Sequence, residues 1–144
     1  MDAATISDTV NTASRIENLT KYYKSPLLLS QDTQQRLNGH YNFYLRQLGI
    51  VRLKGKHKLL GIVECINGFE GDQFEKKLST LTLFSEAMTL YHDQQFENAI
   101  TIFHEVLAVD PDDQTARFFL ENAARFLTQG VPENWTGAEE MLSK

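Results

Sequence analysis

Asn11 and Arg15 stand four residues apart near the start of the chain. In a helix that interval puts both side chains on one face, about one turn from each other. An amide and a guanidinium held side by side on a rigid helix are suited to gripping a sugar oxygen and a phosphate. A second candidate feature is the run Lys54-Gly55-Lys56-His57-Lys58. There a glycine bend between two apolar runs would present ammonium groups to a polyphosphate. Taken alone, both features also have plainer readings: a solvated helix face and a solvated hairpin tip.

The elements that must position these residues can be read from periodicity. Val10, Ala13, Ile16 and Leu19 recur three apart and form an apolar stripe, so a helix is expected from about Asp8 to Tyr23. Asp8, or Ser7 before it, suits the free N–H groups and the positive dipole at its start. Pro26 prevents its continuation. Leu27-Leu28-Leu29 reads as a short strand, and Asp32 to Leu37 as a short helix capped by Ser30 and closed by Gly39. Tyr41 to Arg46 is aromatic-rich and strand-like, and Gly49 allows a turn after it. Val51-Arg52-Leu53 and Leu59 to Ile66 then form two strands joined through the lysine-rich bend. Cys65, the single cysteine, lies in an apolar run and is expected to be a buried strand residue rather than a nucleophile.

The segment D-T-V-N-T-A-S-R-I-E, residues 8–17, resembles the class III adenylate/guanylate cyclase pattern G-D-x-V-N-x-A-S-R-x-E. Leu53-Lys54-Gly55-Lys56 is similar to the L-K-G-K hairpin that follows it in the same family. The resemblance covers residues 5–66 and implies roles for three residues. Asn11 would orient the ribose, Arg15 would face the α-phosphate, and Lys54 would contact the terminal phosphates of ATP or GTP. It also implies Mg or Mn, held in the full-length family by two aspartates on strands N-terminal to the Asn/Arg helix. Seven residues precede Asp8, too few for those strands. The expectation is therefore a chain that binds no metal alone and is inactive alone. Ser7 replaces the family glycine, and Ala4 falls at the position that reads the purine, so adenine and guanine are not distinguished.

Charge divides the chain. Residues 1–78 carry 11 Lys/Arg against 8 Asp/Glu, whereas residues 79–144 carry 3 against 11. This shift marks a boundary near residue 75, and the acidic half argues against a nucleic-acid partner. No run approaches the roughly 18 apolar residues of a membrane span, and no signal peptide is evident, so a cytoplasmic setting is expected.

The turn-rich residues 67–76 read as a linker. Helices are expected from about Lys77 to His92, Phe96 to Val109 and Gln114 to Thr128. Ala87, Phe96, Ala99, Phe103 and Pro111 match one 34-residue tetratricopeptide repeat. A generic pair of helices with a third is the alternative. One repeat is marginal by itself and must lean on the first half, a second copy or a protein partner. Asp110-x-Asp112-Asp113 resembles a Ca²⁺ loop only superficially and reads as an inter-helix turn with an N-cap. His40, His57, His92 and His104 lack metal-ligand spacing. Trp135 is expected to fold back onto the helices as an anchor. The Pro-x-x-Trp-x-Gly stretch is similar to the C-termini of cyclases carrying helical repeats, implying a native C-terminus.

The expected fold is thus α+β: a cyclase-type segment over 1–66, a linker over 67–76, and an all-α TPR-like module over 77–144. Two functions are compatible with it. One is the C-terminal part of a nucleotide cyclase whose helical module mediates protein contacts or self-association. The other is a non-catalytic interaction module.

Overall fold

A computed structural model describes residues 28–30, 44–52, 59–135, 137 and 139–140. Asn11, Arg15 and Lys54 all lie outside the described residues, as do the expected helices over 8–23 and 32–37. What is described is mixed: a four-stranded sheet with four α-helices, mostly helical.

The strands are β1 (Leu28–Ser30), β2 (Leu45–Arg52), β3 (Leu59–Cys65) and β4 (Glu139–Glu140). Their order across the sheet is β1-β3-β2-β4. β3 pairs antiparallel with both β1 and β2, whereas β4 runs parallel to β2. β2 corrects the expected turn at Gly49. The strand runs through that position, with a bulge between Gln47 and Gly49. Gly49 has φ +117°, a conformation open to glycine, so the chain absorbs one extra residue without leaving the sheet. Alternation across β3 sends Ile62 and Glu64 to one face and Val63 and Cys65 to the other, and all four are buried. Cys65 is thus the buried strand residue expected, and burial is the main reason its thiol titrates higher than usual.

A 3₁₀ turn (Ile66–Gly68) follows, then α1 (Gly71–Ser79), α2 (Leu81–His92), α3 (Phe96–Val109) and α4 (Gln114–Gln129). Helix therefore begins at Gly71, inside the stretch read as linker, and the helix expected from Lys77 to His92 is two. Thr80 explains the break. Its hydroxyl donates to the carbonyls of Lys76 at 2.9 Å and Lys77 at 3.2 Å, closing α1, while its own carbonyl accepts from Phe84 N–H to start α2. A polar side chain that satisfies freed carbonyls permits a change of direction which periodicity alone does not reveal.

α2, α3 and α4 pack consecutively, joined by short turns at Asp93–Gln95 and Asp110–Asp113. Ala87 and Ala99 are wholly buried, and Phe84, Tyr91, Phe103 and Phe119 fill the interior with edge-on and stacked rings. Asp113 caps α4 by accepting from Ala116 N–H at 3.1 Å, as the turn reading expected. Gly130, φ +80°, ends α4, and its N–H bonds to the Phe126 carbonyl at 2.8 Å. Trp135 does fold back: its ring lies 5.8 Å from Tyr91, 5.6 Å from Phe96 and 5.5 Å from Phe126.

Leu28, Leu48 and Ile62 of the sheet belong to the same buried cluster as the helix interior. Among the described residues no helix is long and apolar enough to cross a membrane.

Candidate functional site

Lys54 is two residues beyond Arg52, the last residue of β2, and Arg52 pairs with Leu59, the first of β3. The β2–β3 pair is therefore the root from which the lysine-rich connection departs. Antiparallel pairing of Leu45 with Cys65 through Arg52 with Leu59 is the hairpin expected from sequence, lengthened by the bulge. Asn11 and Arg15 are not brought into relation with it by the described residues.

A buried ionic cluster lies at the opposite end of this strand pair and ties it to the helices. Arg46 and Glu64 are register partners on β2 and β3, both inward-facing and both almost wholly buried. Arg46 Nε donates to Glu64 Oε1 at 2.6 Å, and Nη2 lies 2.5 Å from the same oxygen. The far side of the guanidinium meets the cap of α4: Nη1 donates to Asp113 Oδ2 at 2.7 Å and Nη2 to Oδ1 at 3.3 Å. Thr115 Oγ donates to the other Glu64 oxygen at 3.4 Å. The guanidinium lies 4.0 Å from the centre of the Phe84 ring on α2. One side chain thus ties two strands to two helices.

Lys77 of α1 repeats the pattern nearby. It is buried, forms an ion pair with Asp110, and sits 4.5 Å from the centre of the Phe69 ring. Asp110 and Asp113, read as an inter-helix turn, are accordingly also the anchors of two buried cations.

The electrostatics follow from this geometry. Burial opposes the charge on Arg46, but Glu64 and Asp113 beside it outweigh that cost, so its guanidinium is held even more firmly protonated than usual. Burial would raise Asp113, yet Arg46, with Lys77 adding to it, pulls its carboxyl below the ordinary aspartate value. A depressed carboxyl stabilises the fold when ionised, so this contribution is complete above the ordinary aspartate pKa near 4 and is lost as acid protonates the folded state. Urea midpoints measured from neutrality downward should hold and then fall across that range. Asp113→Asn, which keeps a capping oxygen, should start from a lower midpoint and fall less steeply.

These groups do not form a divalent-metal site. Glu64 and Asp113 are committed to Arg46, and Asp110 to Lys77. Among the described residues no three His, Cys, Asp or Glu converge to hold a metal ion. Chemically the cluster is a clamp: a saturated guanidinium between two carboxylates neither gives nor takes a proton near neutrality. An open groove of 490 Å³ lies between β2 and α2, lined by Leu45, Arg46, Gln47, Phe84, Ser85 and Thr89 among others, and the Arg46 head that reaches it is already paired.

Arg46, Glu64 and Lys77 are given no role in the sequence analysis. A signal existed for the first two: both charges fall at inward positions of strands whose neighbours at 48 and 62 are apolar, and a charge there requires a partner.

Comparison with known proteins places the chain in relation to others. It is 30% identical over 122 residues to a protein of Dictyostelium discoideum named "Adenylate cyclase, terminal-differentiation specific", covering 84% of this chain and 6% of that protein. It is 38% identical over 65 residues to "Adenylate cyclase" of Anabaena cylindrica, covering 44% of this chain and 13% of that one. The chain is thus related in sequence to proteins named adenylate cyclase and spans a small fraction of the length of each. No family model matches the chain. No solved structure matches it either.

Proposed function

We propose that residues 1–66 are the later part of a class III nucleotide cyclase catalytic domain, and that residues 77–144 are a TPR-like module serving protein contacts or self-association. The observation that carries this reading is the 122-residue match to the Dictyostelium protein. A match covering 84% of the chain necessarily includes residues from both halves, so the two belong together in that relative. The cyclase-like segment supplies the motif for the chemistry, and the paired β2 and β3 supply the root from which the connection bearing Lys54 departs.

In this reading the ribose 3′ oxygen of ATP or GTP attacks the α-phosphorus. The new O–P bond forms as the bond to pyrophosphate breaks. Asn11 orients the ribose, Arg15 stabilises the charge that develops on the α-phosphate, and Lys54 holds the departing pyrophosphate. The Mg or Mn used by the class has no fitting ligand set among the described carboxylates. In this reading these 144 residues are inactive alone and act in the cytoplasm beside a metal-bearing partner chain.

Two assays test the reading. The purified chain with Mn²⁺ and ATP or GTP should make no cyclic nucleotide; turnover that disappears in Asn11→Ala would overturn the predicted inactivity. Mixed with a metal-bearing cyclase half, it should raise turnover, and Arg15→Ala should remove that gain by about 10²–10³-fold, the usual effect of deleting one transition-state donor. No gain on mixing would favour the alternative, a non-catalytic interaction module.

A further inference from the structure

The sheet has an edge that is only partly used. Tyr44, just before β2, turns its backbone toward β3: its carbonyl accepts from Ile66 N–H at 2.8 Å, and its N–H donates to Asn67 Oδ1 at 2.8 Å. Backbone groups alternate from side to side along a strand, so the N–H and carbonyl of Leu45 point away from β3, to the outer edge of β2. On that edge β4 pairs with Val51 and Arg52, at the far end of the strand. Beside Leu45 the described residues hold no strand. The 490 Å³ groove lies there instead, with β2 as one wall and α2 as the other.

The α2 wall is one helical stripe. Thr82, Ser85 and Glu86 recur three and four residues apart and are exposed, while Phe84 beside them is turned into the core. Leu45 and Leu81, both half-buried, give the groove apolar surface. Outward N–H and carbonyl groups beside an open, partly apolar groove are what an added strand requires. The same edge already accepts one, β4.

Charge selects the occupant. Of the groove's two charged residues, Arg46 is bound to Glu64 and Asp113, and one guanidinium between two carboxylates leaves a net negative charge. Glu86 is exposed and has no ion-pair partner among the described residues. Residues 79–144 add 3 Lys/Arg against 11 Asp/Glu. Two copies of the chain joined along this edge would bring these negative groups together, whereas a cationic chain is attracted.

We propose that the groove takes an extended, cationic segment of a partner protein, which adds to β2 at Leu45 and sets a lysine or arginine against Glu86. This places a protein contact at the seam between sheet and helices rather than on the helical module alone. The site makes no use of Asn11, Arg15 or Lys54, so its failure leaves the cyclase reading untouched.

The probe is an acetylated, amidated hexapeptide of alternating valine and lysine, fluorescein-labelled and followed by anisotropy with the full 144-residue chain at low salt. It should bind, and the same peptide with glutamate for lysine should not. Thr82→Trp, at an exposed position of α2, fills the groove and should abolish binding while the circular dichroism spectrum is kept. Glu86→Gln should weaken binding about three-fold, with the difference shrinking as salt rises. Glu97→Gln removes the same charge from an exposed position of α3 and should leave affinity unchanged. Methylating every second backbone nitrogen of the peptide blocks one edge of an added strand. Of the two alternating methylated peptides, one should lose about ten-fold in affinity and the other should bind as before, because only one edge faces β2. No binding at about 1 mM peptide would overturn the proposal. So would equal binding by both methylated peptides and their parent, equal weakening by Glu97→Gln, or binding that survives Thr82→Trp. A dimer of the chain in sedimentation that Thr82→Trp dissociates would also overturn it, since a second copy would then fill the groove.

Discussion

Arg46→Met is expected to lower unfolding free energy by about 3–5 kcal/mol, the usual result of removing one partner from a buried ion pair. Two carboxylates would lose their cation together. Glu64 is wholly buried, and Asp113 keeps only its cap bond to Ala116 N–H. Urea unfolding followed by circular dichroism should show a lower midpoint with little change in slope. The control is to remove the charges as a set. Arg46→Met with Glu64→Leu and Asp113→Asn replaces the salt network by apolar packing while keeping an oxygen for the cap, and should recover most of the loss. Failure of the triple variant to recover would mean the network's geometry, rather than its charge balance, holds the sheet to the helices.

Phe119→Ala should cost a similar amount, about 3–5 kcal/mol, through a different mechanism. Phe119 is 1% exposed and lies where three helices meet, 5.3 Å from the Tyr91 ring, 6.4 Å from Phe84 and 6.3 Å from Phe103, the last nearly parallel. Truncation leaves a cavity lined by rings that cannot collapse without losing their own contacts. Unlike Arg46→Met, this loss should be insensitive to acid, since no titrating group is left without a partner. A cost below about 1 kcal/mol would mean the three rings close over the space.

The helical half was the more legible part of the chain. Apolar residues at 84, 87, 88 and 91, at 96, 99, 103 and 106, and at 116, 119 and 123 recur at helical spacing, and all are buried. Local chemistry was readable too: Asp113 as a cap and Trp135 as an anchor follow from residue type beside a turn. The hairpin was also legible, but its bulge was not, because glycine serves a turn and a bulge equally well and only pairing with β3 decides between them. The start of α1 at Gly71 was hidden by two glycines and an aspartate, turn residues that here lead into a helix. Least visible was the joint between Arg46 and Asp113, since no local pattern announces a contact 67 residues long. Of the site itself, Asn11, Arg15 and Lys54 came from motif resemblance and lie outside the described residues, so their geometry stays a proposal tested by the mixing assay.

That long contact also orders the folding reaction. The hairpin and the three-helix array each form from neighbours in sequence, and such contacts close quickly because little chain entropy is lost. Within the hairpin the guanidinium already has Glu64, but its bonds to Asp113 cannot form until both units exist, so the joint must close late. Arg46→Met should then speed unfolding while leaving the refolding rate nearly unchanged, whereas a lesion inside the helices that form first should slow refolding. During synthesis the asymmetry is sharper. Arg46 and Glu64 leave the ribosome before Asp113 is made, and until α4 appears the ion pair of the hairpin has no cap of α4 to dock against.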